Sequence, residues 1–349
     1  MTTCWFAGKH LIRVVFGDRW STRYSSGSDA AKEEIINFAL EKLRNSTIIP
    51  ELHEGVATIS KARRNADLAA LAVCVLFDFG ELYTPQLIQI ELVASHMRIV
   101  WSMNKRRQYV ISGYPSEPTL AIAALHHLHE VDRRKERYCT LSLMRDAVIE
   151  RHVAKGEKGE LVARLILILA LYKHSASPPQ VSGYLKPVSS ISVKDLLSAL
   201  LPSTSAVDKF WSSSPCCGGS PEATAKTVFG NAKVYFTHFV RYTMTPKAQH
   251  LWAAVVRGQA IQCSYPQREV DIIIPVVLDP EAALAEEHMS AILNQVRNRA
   301  SVAAAPPVAA EIGLFGSELT PYTCISIVFQ LSLEKPEGKE NKYTLPTPY

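Results

Sequence analysis

The run Asp271-Ile-Ile-Ile-Pro-Val-Val-Leu278 constrains the fold more than any other stretch of the chain. Seven apolar residues in succession fit a strand that is covered on both faces, as happens inside a sheet flanked by other layers. Pro275 interrupts the pattern, because it has no N–H to give to a ladder. A local irregularity or a free edge is therefore expected beside it.

The rest of the chain supplies the other layers. Strand-like runs are expected at 234–240, 260–263, 291–296 and 324–333, with a helix around 250–257 before the second of these. An apolar helix over 160–172 and another near 193–201 precede them. Towards the N-terminus, residues 30–45 place Ile35, Ile36, Phe38, Leu40 and Leu43 near helical spacing, with charges on the other side. Further helices are expected at 66–79 and 85–101. Lys105-Arg106-Arg107 follows, and then a turn at 113–118, where Ser116 can cap and Pro118 can open a helix through Leu128. The charged segment 132–137 is a candidate boundary. This order predicts an α/β or α+β fold: a mainly helical region over 1–135, then a domain over 136–349 built on a mixed central sheet.

Bulk properties exclude several classes. With 349 residues, 47% hydrophobic and 20% charged, the chain can bury a core of ordinary globular kind. A net charge of +5 is spread without a basic tail, so contact with nucleic acid would have to come from a local patch. Seven cysteines without a CxxC pair argue against a disulfide framework and a structural zinc site, and Cys216-Cys217 reads as part of a loop. The longest apolar stretch, 161–172, is broken by Arg164 and falls short of a bilayer span, so no membrane partner is expected. An intracellular protein of nucleus or cytoplasm is the reading that follows. Histidines 126, 127 and 129 suggest a metal, but His127 points away from His126 and His129 on a helix, and no second element supplies a ligand.

A different set of residues carries possible chemistry. Metal-dependent phosphodiester cleavage needs oxygen ligands for Mg²⁺, a cation to steady phosphate charge, and rigid strands to hold both. Asp271 opens the buried strand. Gln295 and Arg297 lie two apart on the next strand and project from one face. Glu160, at the start of the apolar helix, can complete the cluster from the side.

This arrangement resembles the PD-(D/E)XK nuclease superfamily, in which a helix glutamate, an aspartate at a strand start and a Glu/Gln-x-Lys triplet on the following strand form the site. A closer resemblance is to a group of fungal proteins related to Crinkler-type effectors, whose nuclease-like segment accompanies P-loop ATPase modules. The matching stretches are 159–165, 260–263, 270–276 and 291–297, joined by 92–98 and 112–118. The resemblance implies a restriction-endonuclease-like domain in the C-terminal part, with Glu160 and Asp271 as ligands of Mg²⁺ or Mn²⁺. Gln295 takes the position that is often a second carboxylate, and Arg297 takes the place of the lysine. Arginine cannot accept a proton, although it still pairs with phosphate. Weak or absent cleavage is the expectation.

The ATPase module is not legible: no GxxxxGK[ST] occurs, and Gly27-Ser-Asp-Ala-Ala-Lys32 lacks the second glycine of a phosphate cradle, so no nucleotide cofactor is expected. Tyr235, Phe236, His238, Phe239 and Tyr242, bounded by Lys233 and Arg241, have the composition of a single-strand stacking platform and equally of a strand with core aromatics. Lys233, Arg241 and Arg299 are the cations expected to meet nucleic acid. Two functions stay open: a degenerate nuclease that binds nucleic acid, or a non-catalytic module that binds a protein partner through its helical N-terminal region.

Overall fold

The structure is a computed structural model and describes residues 29–45, 61–79, 83–106, 110–133, 139–150, 157–175, 189–201, 203–215, 223–264, 270–282, 285, 288–297, 314–315 and 324–331. It is an α+β fold with helices around a mixed sheet.

Among the described residues of the N-terminal half, helices dominate and one hairpin interrupts them. Helices α1 (Asp29–Arg44), α2 (Lys61–Val75) and α3 (Tyr83–Ser95) precede strands β1 (Ile99–Met103) and β2 (Val110–Gly113), and α4 (Pro118–Arg133) and α5 (Thr140–Ile149) follow. The expected helix 85–101 thus ends at Ser95. Met97 adopts a left-handed φ of 59°, Arg98 N–H turns back to the Leu92 carbonyl, and the chain continues as a strand. Helix α2 ends in the same manner at Leu76, with φ 53° and Phe77 N–H donating to Ala72 O, the bond of a Schellman cap. Pro118 opens α4 as expected. Its cap, however, is Glu117, whose Oε2 accepts from Leu120 N–H at 2.6 Å, while Ser116 Oγ pairs with His238 Nε2 at 2.7 Å.

The second half begins with α6 (Lys158–Ser175). Then come β3 (Ile191–Ser192), α7 (Val193–Leu200), α8 (Thr204–Trp211), α9 (Ala225–Phe229), β4 (Lys233–Val234), β5 (His238–Tyr242), α10 (Ala248–Val256), β6 (Gln259–Cys263), β7 (Ile272–Val277), β8 (Met289–Arg297) and β9 (Ile325–Gln330). The expected strand 234–240 is two strands separated by Tyr235, Phe236 and Thr237. Strands β6, β7 and β8 form an antiparallel meander, flanked by β5 parallel to β6 and β9 parallel to β8. Helix α10 makes the β5–β6 crossover, and Gly258, at φ +61°, turns the chain from α10 into β6.

β7 is buried on both faces, as its sequence demands. Ile272, Ile274 and Val276 join the principal core, together with Leu71 of α2, Leu120 of α4 and Leu167 of α6. Ile273 and Val277 face the other way, onto Leu251 and Ala254 of α10. Each such aliphatic side chain contributes about 1.5–3 kcal/mol when fully buried. The helical region before residue 135 and the sheet after it therefore share one core.

Pro275 sits in the middle of β7, and the sheet accommodates it. One edge of β7 pairs continuously with β8, whereas the other is shared by β6, at Ile272 and Ile273, and β4, at Val276 and Val277. Leu278 N–H donates to His288 O on the β8 side, so by the alternation of the ladder the Pro275 nitrogen points to the opposite edge, into the gap between β6 and β4.

Candidate functional site at the sheet end

Asp271, the residue before β7, is held from both sides. Its N–H donates to Asn294 O at 2.9 Å, and its carbonyl accepts from Cys263 N–H at 2.8 Å. The β7–β8 register ends at the pair Ile272–Asn294, and Asp271 lies just beyond it. Asp271 Oδ2 accepts from Val296 N–H at 2.6 Å. Burial raises the Asp271 carboxyl to about 6; the Val296 hydrogen bond works against this, the Glu160 charge adds to it, and the Arg297 charge opposes it.

Gln295 and Arg297 share one face of β8, and the guanidinium folds back over the amide. Arg297 Nε and Nη2 both donate to Gln295 Oε1, at 3.1 and 3.0 Å. Gln295 is nearly buried. Its oxygen is occupied by Arg297, which leaves it a poor donor to an ion.

Glu160 lies in the first turn of α6 and reaches β6, where Gln262 Nε2 donates to its Oε2 at 2.7 Å. One turn further along α6, Arg164 is wholly buried, its Nη1 lies 3.7 Å from Glu160 and its Nη2 4.0 Å from Glu157. The i, i+4 pairing of Glu160 with Arg164 suggested by their spacing is present, but in the protein interior. Burial lowers the Arg164 pKa, opposed first by Glu157 and then by Glu160. Glu157 is raised by burial and by Asp78.

Arg241 closes the cluster. It stands on β5 opposite Gln262 of β6, with Nη1 2.7 Å from Asp78 and Nη2 2.8 Å from Glu157. Burial works against its charge, but the two carboxylates outweigh it and raise its pKa. Arg241 is therefore ion-paired to two protein carboxylates, while its side chain remains 38% exposed. Lys233 stands on β4 opposite Val277, at the far end of β7 from Asp271. At a strand rise of about 3.3 Å per residue that separation is about 20 Å, so Lys233 does not join this end of the sheet. Arg299 lies outside the described residues, as do Cys216 and Cys217.

The structure thus brings Asp271, Gln295 and Arg297 together, with Glu160 near enough to act on the charge of Asp271. Sequence reasoning missed Gln262, Asp78 and Glu157. A signal existed for Gln262, a polar residue inside an apolar strand. None existed for the other two, whose role depends on where β5 lies. Of the aromatic run, Phe236 and Phe239 pack in the core with ring centroids 5.7 Å apart, and His238 is buried and held neutral, its pKa lowered to about 3 by burial. The core alternative for that run is the one realised.

Mg²⁺ relies on carboxylates and substrate oxygens. Among the described residues, no group of three or more His, Cys, Asp or Glu side chains is placed to hold a metal ion. One oxygen of each carboxylate is engaged by the protein, Glu160 Oε2 by Gln262 and Asp271 Oδ2 by Val296 N–H. Of the three α4 histidines, His127 is held by two neighbours: its Nε2 meets Asp67 Oδ1 at 2.7 Å, and its Nδ1 accepts from Arg44 Nε at 2.8 Å, which fixes the ring with its proton on Nε2.

No helix among the described residues is long and apolar enough to cross a membrane. A family model described as a domain of unknown function, DUF8736, matches residues 60–307, from the start of α2 to beyond β8. No curated protein and no solved structure matches the chain.

Proposed function

The chain belongs to the DUF8736 family, and from its sheet-end site we propose that it is a nuclease-fold protein that binds nucleic acid and cleaves it weakly or not at all. The observation that carries this reading is the convergence of Asp271, Gln295 and Arg297 at paired strand ends, with Glu160 of α6 acting electrostatically on Asp271. A phosphate placed there would meet the Arg297 guanidinium, which suits it as a two-point donor. Proton abstraction from water has no candidate in Arg297, which stays charged.

A metal such as Mg²⁺ or Mn²⁺ would supply charge neutralisation and water activation if it bound. Asp271 and Glu160 alone offer it too few free oxygens, and affinity for phosphate rests on Arg297. A second reading, a non-catalytic interaction module on the same scaffold, is favoured by one observation: Glu160 is already engaged by Gln262 and Arg164.

The test is cleavage of plasmid and single-stranded DNA and RNA in Mn²⁺, with wild type, Arg297→Lys and Arg297→Lys/Asp271→Ala compared. Cleavage that appears in the lysine variant and vanishes in the double variant identifies a decayed catalytic site. Silence in all three, together with nucleic-acid binding, leaves a binding protein. Silence without binding to any nucleic acid favours the interaction module and overturns the proposal.

A further inference from the structure

We propose that the β1–β2 hairpin is a second nucleic-acid contact, in which Lys105 and Arg106 at its tip meet phosphates of a single strand and Trp101 stacks on an unpaired base. The inference rests on the nucleic-acid reading above but uses none of its residues.

Three observations carry it. First, β1 is exposed along its whole length, and Ile99, Trp101 and Met103 with Ile111 of β2 offer large apolar side chains to solvent. An exposed apolar surface of this extent marks an interaction site. Second, residues 92–116 contain no aspartate or glutamate but carry Arg98, Lys105, Arg106 and Arg107. A second copy of this hairpin would repel the first, whereas an anionic polymer with flat apolar bases complements both its charge and its apolar face. Third, Trp101 is 57% exposed and sits over Gly113, where a Cβ would come within 2.4 Å of indole Nε1 and within 3.2 Å of Cε2. These distances place the N–H edge of the ring against the ribbon, and a ring standing on its edge keeps its π-faces for stacking. Glycine at 113 is what allows it.

The hairpin is also anchored at its base. Arg98, buried before β1, donates to Ser112 Oγ and O at 2.7 and 2.6 Å and lies over the rings of Phe79 and Tyr114, at 4.8 and 5.3 Å. Phe79 follows Asp78, the partner of Arg241.

The experiment is fluorescence anisotropy of labelled single-stranded oligonucleotides in EDTA, over a salt series, with the full chain. Trp101→Ala is expected to weaken binding by roughly tenfold and Trp101→Phe to recover most of the affinity, as stacking requires. Lys105→Ala/Arg106→Ala is expected to reduce the slope of log affinity against log salt by about 1.4, that is about 0.7 for each phosphate no longer neutralised. Unchanged affinity and slope in these variants, while wild type binds and Arg297→Ala weakens it, overturn the hairpin inference alone. Tighter binding to duplex than to single strands, or capture by phosphatidylserine vesicles without oligonucleotide binding, overturns it too. Absence of any nucleic-acid binding by wild type overturns both readings.

Discussion

The carboxylate of Asp271 accepts the backbone N–H of Val296, 2.6 Å away, and so stands one residue from both Gln295 and Arg297. A side chain from the start of one strand thereby completes the end of the next, and its position is fixed by the β7–β8 register.

That placement makes the site sensitive to pH. Asp271 is raised to about 6, chiefly by burial, so in the folded protein it holds its proton more tightly than in the unfolded chain. Its contribution to stability is fully present below about pH 4 and is lost as pH rises through about 6, by about 1–3 kcal/mol. Denaturation at pH 4.5 and 7.5 should show this fall in wild type and a smaller one in Asp271→Asn. Metal-free nucleic-acid affinity should also fall through the same range in wild type, because ionised Asp271 repels phosphate, and stay flatter in the variant.

Arg164 should be a stability residue rather than a binding one. It is wholly buried and faces Glu157 and Glu160, so Arg164→Met removes a buried positive charge from both carboxylates and leaves Glu157 with Arg241 alone. Removing one partner of a buried pair costs about 3–5 kcal/mol, reduced here to about 2–4 because both glutamates remain partly open to solvent. Thermal unfolding should shift down by roughly 3–5 °C.

The Arg44–His127–Asp67 relay ties α1, α4 and α2 together. His127→Ala removes two hydrogen bonds and leaves Asp67 buried without its partner, a destabilisation of about 2–3 kcal/mol. Asp67→Ala/His127→Ala should cost less than the sum of the two single changes in urea denaturation. Nucleic-acid affinity should not change in any of these variants, since the relay lies apart from the sheet end.

What could be read from the sequence followed the strength of the local signal. The run 271–278 announces a doubly covered strand, and Glu160 at the head of an apolar helix is legible because the helix pattern is clear. The hairpin was hidden because no Gly or Pro separates Ile99, Val100 and Trp101 from the helix before them; the change depends on a left-handed Met97, a conformation no residue type there signals. The gap that accommodates Pro275 depends on two short strands sharing one edge of β7. Likewise, the capture of Arg241 by Asp78 and Glu157 arises from pairing β5 with β6 and packing it on α2, which joins residues more than eighty positions apart. Local patterns do not encode such pairings, so the carboxylate partners of Arg241 become legible only with the register.

The most direct test of the central claim is the affinity of labelled single-stranded oligonucleotides for wild type, Arg297→Ala and Asp271→Asn, measured in EDTA at pH 7.5. A sheet end that receives phosphate predicts binding by wild type, a weakening of roughly tenfold in Arg297→Ala as a charge-assisted hydrogen bond disappears, and tighter binding in Asp271→Asn. Equal affinity in all three proteins, or binding by none, would contradict it.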